Sequence, residues 1–414
     1  MTRLAIHGGT PACQPAVDPV ALRPLRFGEQ ERRALMAVVD YGVLCRTFGR
    51  EADIYEKEAA AYFGAAQAVA SSSGTASIHA ALAAVGAGWG DEVITSPITD
   101  MGSVIGIIAQ GALPVFADID PGTFNTLPEA VERAVTPRTR AILTVHLAGL
   151  ACDMPSICRI AADRGLAVVE DCAQSWLADI EGRRVGTFGN IGCFSTNGYK
   201  HISTGDGGLA VTDDPELARR MRLFTDKAYD RSAGTRNPEV FGMNYRITEL
   251  QAAVGRVQLG KLKNIVARRR ELASLLQQNL AGTPGLLLPV VPHGYGHSWW
   301  YFVLRREPEL IETPAAEIAR ALAAEGIPAW TGYCGGRPVY LYDCFQHPEK
   351  SFFRLPPLAG DQKLSALYPA GLCPNAEKLL DEMIIVTMSE HYTNENARQM
   401  AEGIAKVFEW YGKG

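Results

Sequence analysis

Between residues 65 and 212, short apolar runs alternate with stretches of helical character. Residues 92–95, 114–117, 141–145, 166–169, 191–195 and 208–212 read as strands. They do not alternate between apolar and polar positions, as a sheet covered on both faces requires. The intervening segments suit helices. Residues 77–85 are Ala-rich, and residues 155–164 put Ile157 and Ile160 on one side. This pattern predicts an α/β layer architecture with a mostly parallel sheet.

After Asn244 the pattern changes. Ile247, Leu250, Val254 and Val257 fall at helical spacing. A basic segment follows (Lys261, Lys263, Arg268, Arg269, Arg270) and leads into Leu272, Leu275, Leu276 and Leu280. We read a helical pair whose basic segment is a solvated face rather than an anion site. The Pro- and Gly-rich stretch 282–296 separates this pair from a C-terminal α+β part. That part is expected to hold a strand at 300–304, a helix at 314–325 and a closing helix near 394–411. The 414 residues suit about two to three domains. We place the boundary so that residues 1–260 form the arm and large domain, and 261–414 the linking helix and small domain.

Composition narrows the function classes. Apolar residues make up 47% and charged residues 21%, which excludes a disordered or coiled-coil chain. The net charge is -5 and no stretch concentrates one sign, so neither nucleic acid nor an anionic membrane is an expected partner. The most apolar candidate for a membrane span, residues 104–117, is broken by Gly106, Gln110, Gly111 and Pro114. The first residues are too short in apolar content for a secretory signal. Nine cysteines without a C-x-x-C pair suit reduced thiols in a cytoplasmic protein rather than disulfides or a metal site. Cys158, Cys172 and Cys193 read as small core residues.

Four segments carry candidate chemistry. Ser71-Ser72-Ser73-Gly74-Thr75-Ala76-Ser77 joins a short strand to an Ala-rich helix. Its small residues and helix N-terminus suit an anion such as phosphate, or simply cap the helix. It has neither G-x-G-x-x-G nor a Walker lysine, so dinucleotide and NTP binding are not supported. In Glu170-Asp171-Cys172-Ala173-Gln174-Ser175 an acidic pair ends an apolar strand, where ligands bind in open parallel sheets. Segment 194–208 sets Lys200 and His201 in a Ser/Thr/Gly-rich loop between two strands. We read His201 as a structural neighbour of the lysine. Segment 242–251, with Asn244-Tyr245-Arg246, is a turn and a capped helix.

In this order the segments resemble the DegT/DnrJ/EryC1/StrS family of sugar aminotransferases, which use pyridoxal 5′-phosphate (PLP). The resemblance runs from about Gly8 to the C-terminus and is sharpest from Ser71 to Leu250. It implies PLP-dependent transferase fold type I, with a seven-stranded-type sheet in the large domain and a smaller C-terminal α+β domain. It implies that Lys200 attaches covalently to the cofactor and, once released, shuttles a proton. Asp171 would pair with the pyridine nitrogen, and Gln174 would bond the ring 3′-oxygen. Gly74, Thr75 and Ser195 would hold the phosphate. Asn244 would reach the phosphate of a neighbouring subunit, so the family implies a homodimer with shared sites. The expected activity moves an amino group from glutamate or glutamine to a keto-sugar or ketocyclitol, in amino-sugar or antibiotic biosynthesis. The alternative is a PLP-dependent sugar dehydratase on the same fold, against which Lys200 argues.

One departure stands out. Relatives carry an aromatic residue that stacks on the ring where this chain has Asp100, within Pro97-Ile98-Thr99-Asp100-Met101. Either Asp100 faces the substrate, or it points to solvent and Met101 covers the ring.

Overall fold

The computed structural model describes residues 3–231, 237–353, 356 and 364–412. Its central sheet has seven strands in the order Gln67–Ser71, Gly208–Thr212, Ile191–Ser195, Ala167–Asp171, Thr139–Val145, Glu92–Thr95, Leu113–Phe116. Gly208–Thr212 is antiparallel to both neighbours. The other pairings are parallel, so six strands point one way. The expected strands are all present, with boundaries moved by up to two residues. Their side chains are buried on both faces, which is why no alternation is visible in the sequence.

Parallel order has one consequence for function. Six strands deliver their last residues to one edge, including Ser71, Thr95, Asp171 and Ser195. The helices Gly74–Ala84 and Met101–Ala109 start just beyond two of these ends. Three of the four candidate segments thus arrive at the same rim.

The second sheet is antiparallel, in the order Leu286–Leu287, Tyr301–Arg306, Ile384–Thr387, Ala329–Trp330. Helices Ala315–Ala324 and Asn394–Tyr411 share its core with Phe302, Leu304, Ile384 and Val386. Leu4, Cys13 and Val17 of the N-terminal arm belong to that same core.

The structure corrects two expectations. The helical pair is one helix, Glu249–Leu280. Thr248 and Gln251 form its capping box, and no proline interrupts it. It runs unbroken across position 260. Leu259, Leu262 and Val266 pack in the large-sheet core, and Leu272, Leu276 and Leu280 in the second. Nor is the basic segment a solvated face throughout, although Lys263 is exposed. Arg269 is only 2% exposed and bonds Glu390 at 2.8 Å. Arg270 bonds Asp179 and the His297 carbonyl, both at 2.9 Å. Long side chains at helix positions facing other elements recruit partners that local sequence does not reveal. No helix among the described residues is long and apolar enough to cross a membrane.

Candidate active site

A cavity of about 470 Å³ opens at the rim of the parallel sheet. It is lined by Gly74, Thr75, Asp100, Asp171, Gln174, Ser195 and Lys200, seven of the nine residues singled out in the sequence.

The start of the Gly74–Ala84 helix forms one wall. Ser73 is its N-cap, its Oγ accepting from the Ala76 N–H at 3.1 Å. The N–H groups of Gly74 and Thr75 have no acceptor among the described residues, so they are free for an anion. A side chain at Gly74 would bring its Cβ within 2.7 Å of Ser195 Cβ. Only glycine therefore lets the Ser195 hydroxyl close this cradle. A cap and N–H groups left free for an anion are both present here, on different residues.

Asp171 ends its strand buried, 6% exposed. Its Oδ2 accepts from Ser103 Oγ at 2.6 Å and its Oδ1 from the Ala173 N–H at 3.0 Å. The Thr99 hydroxyl lies 2.6 Å from Ser103 Oγ. Since the Ser103 proton goes to the carboxylate, Thr99 must be the donor in that contact. Burial raises the Asp171 carboxyl above its ordinary value, against the pull of Ser103, the Ala173 N–H and Lys200. A carboxylate held this way has room for one more partner, a cation or an N–H donor. Its neighbour Glu170 turns the other way. It accepts from the N–H groups of Gly186, Phe188 and Gly189 and meets His146 Nε2 at 3.1 Å. The Cys152 N–H donates to His146 Nδ1, so the ring is the Nε2-protonated tautomer that donates to Glu170. Glu170 thus serves structure and Asp171 the cavity.

Lys200 stands opposite, in the loop joining the Ile191–Ser195 and Gly208–Thr212 strands. Its Nζ lies 4.2 Å from the centroid of the Trp300 ring and forms no ion pair among the described residues. Burial lowers its pKa, while Asp171 and Asp100 oppose the shift. A lysine with a lowered pKa is a nucleophile and proton carrier nearer neutral pH than an exposed one. Gln174 accepts from the Ala148 N–H at 2.9 Å and donates from Nε2 to Tyr333 Oη at 2.6 Å. One amide proton remains for a ligand.

Asp100 lines the cavity, and it also caps the Met101–Ala109 helix, its Oδ1 accepting from the Gly102 N–H at 2.8 Å. A small polar cap is thus one structural use of Asp100. Met101, the alternative cover for the ring, does not line the cavity. It is half-buried and packs against the core cluster holding Ile98 and Val104. Asn244 does not line it either. It is exposed and pairs with Asp226, while its neighbour Tyr245 accepts from the Ser72 N–H at 2.8 Å. His201 is buried, bonded through Nε2 to the Ser298 carbonyl at 3.0 Å, and kept neutral by burial.

Sequence reasoning missed Ser103, Trp300, Tyr301 and Tyr333, all of which line the cavity. The aromatic run Trp299-Trp300-Tyr301 was a usable signal. Ser103 was not separable from an ordinary helix serine.

A model of the DegT/DnrJ/EryC1/StrS aminotransferase family matches residues 26–405. The spore coat polysaccharide biosynthesis protein SpsC of Bacillus subtilis (strain 168) is 38% identical over 331 residues, covering 78% of this chain and 83% of SpsC. Among solved structures, the aminotransferase from Psychrobacter cryohalolentis superposes with a TM-score of 0.84 at 29% identity, over 93% of this chain and 98% of that one. A 3-amino-5-hydroxybenzoic acid synthase superposes with a TM-score of 0.83 at 30% identity, over 93% and 97%. This chain belongs to the DegT/DnrJ/EryC1/StrS aminotransferase family.

Proposed function

We propose that the cavity binds PLP and moves an amino group from glutamate or glutamine to a keto-sugar or ketocyclitol. The observation that carries the reading is the pairing of two groups across one cavity. They are a buried carboxylate with spare acceptor capacity, Asp171, and a lysine that forms no ion pair among the described residues, Lys200. Free N–H groups at a helix N-terminus fit the third requirement, an anion cradle. The residues present therefore fit PLP.

When bound, the cofactor supplies an electron sink. Asp171 holds the proton on the pyridine nitrogen. The N–H groups of Gly74 and Thr75 and the Ser195 hydroxyl hold the phosphate. Gln174 offers its free amide proton to the ring oxygen. Lys200 Nζ takes the proton from the substrate carbon and returns it. Trp300 and Tyr301 exclude water from that exchange. Asn244, exposed and absent from the lining of its own cavity, would act on a second copy of the chain in a homodimer. Amino-sugar or antibiotic biosynthesis in the cytoplasm suits such an activity.

The test is a half-reaction screen on the PLP-loaded protein. Glutamate or glutamine should discharge the cofactor's visible absorbance, and a keto-sugar or ketocyclitol should restore it. No discharge with either donor would overturn the reading.

A further inference from the structure

A second cavity, of about 250 Å³, lies beside the first and shares Tyr199, Trp300 and Tyr301 with it. Its other walls bring together three guanidiniums from two parts of the chain, Arg23 and Arg26 from the arm and Arg269 from the long helix, with the His391 ring beside them. The carboxylates do not balance them. Glu390 is shared by Arg269, at 2.8 Å, and Arg26, at 3.6 Å. Asp18, the one acid of residues 18–26, is turned to the N–H groups of Val20 and Ala21. Arg23 has no ion pair among the described residues, only the face of Tyr199 at 4.8 Å. His391 Nε2 is buried without a hydrogen-bond partner, 3.6 Å from Glu390 Oε1. Three guanidiniums thus face one carboxylate, and burial with its arginine neighbours lowers the Arg26 pKa. A basic, partly desolvated cavity of this kind is complementary to an anion.

We propose that this second cavity takes an anionic group of the substrate, a carboxylate or a phosphate, carried several bonds from the reacting carbon. The inference rests on the aminotransferase reading of the first cavity and names its substrate class. Lys200 does not line the second cavity, and Trp300 stands between. A group attached directly to the reacting carbon therefore stays on the Lys200 side. Two sources fit: the side-chain carboxylate of glutamate as donor, or an acidic substituent on the acceptor.

The test uses the PLP-loaded protein, whose phosphate cradle is filled. Inorganic phosphate is titrated by calorimetry into wild type, Arg23→Gln, Arg23→Glu and the control Arg164→Gln. Arg23 is exposed, so its variants should fold. Saturable binding is expected in wild type and the control, weakened about tenfold or more in both Arg23 variants. Michaelis constants then separate the sources. If the anion is the donor's, Arg23→Gln raises the constant for glutamate and spares glutamine. If it is the acceptor's, the variant raises the constant for phosphorylated or carboxylated acceptors and spares neutral ones. Absence of saturable phosphate binding, binding indifferent to Arg23, or Arg23-dependent binding with every Michaelis constant unmoved would each overturn the proposal. Arg23-dependent phosphate binding in a protein with no half-reaction would sink the aminotransferase reading and leave the anion site standing.

Discussion

Ser103→Ala tests how Asp171 is kept ready. The variant removes one of the two donors to a buried carboxylate and strands the Thr99 hydroxyl that donated to Ser103. A buried hydrogen bond to a charged group is worth about 1.5–3 kcal/mol, or roughly 10- to 150-fold in an equilibrium. The pH dependence gives the sign. Burial already raises Asp171 above its unfolded value, so protonation favours the native apoprotein. That advantage is full below the unfolded value and is lost as pH rises through the folded one. Removing Ser103 raises the folded value further. The stability deficit of Ser103→Ala should therefore be about 1.5–3 kcal/mol at neutral pH and shrink as pH falls toward 4. Urea unfolding of the apoprotein at the two pH values measures it. Ser103→Thr, which keeps the hydroxyl, should recover most of the loss. A deficit equal at both pH values would mean that Ser103 only fills space and does not stabilise the ionised form.

The remaining predictions concern neighbouring groups. Asp100→Asn should keep the helix cap, whereas Asp100→Ala should cost about 1 kcal/mol in thermal or urea unfolding. Because Asp100 raises the Lys200 pKa, Asp100→Asn should also move the pH titration of the loaded cofactor's absorbance to lower pH, and an unmoved titration would refute the coupling. The Glu249 carboxylate accepts from the N–H groups of Arg50, Glu51 and Ala52, so Glu249→Ala should destabilise the protein by about 3 kcal/mol or more in urea. His79 is buried and its pKa is lowered from 6.5 to about 4. Its neutral form therefore favours folding above pH 6.5, and stability should fall as pH drops from 6.5 to 4. One proton over that range amounts to about 3 kcal/mol. His79→Gln should flatten that part of the pH–stability curve, and an unchanged slope would exclude His79 as its source.

The sheet was legible because burial on both faces leaves its mark as unbroken apolar runs. The rim was legible because Ser71–Ser77, Glu170–Gln174 and Lys200 each sit at a strand end. The long helix was misread at its basic segment. Arg269 and Arg270 find Glu390 and Asp179, which lie about 120 and 91 residues away in sequence, and no local pattern announces such pairing. The choice between Asp100 and Met101 was open for a similar reason. One position separates Asp100, which lines the cavity, from half-buried Met101, which does not, and the sequence does not say which of them the first turn presents. Trp300 and Tyr333 come from the second sheet and the loop beyond it, so their place over Lys200 and Gln174 depends on how two sheets pack.

The most direct test of the central claim is chemical. Borohydride reduction of the PLP-loaded protein, followed by peptide mapping, should leave the cofactor label on Lys200 alone, and Lys200→Ala should take up none while remaining folded. Label on another lysine, such as Lys227, or undiminished label in Lys200→Ala, would contradict the account.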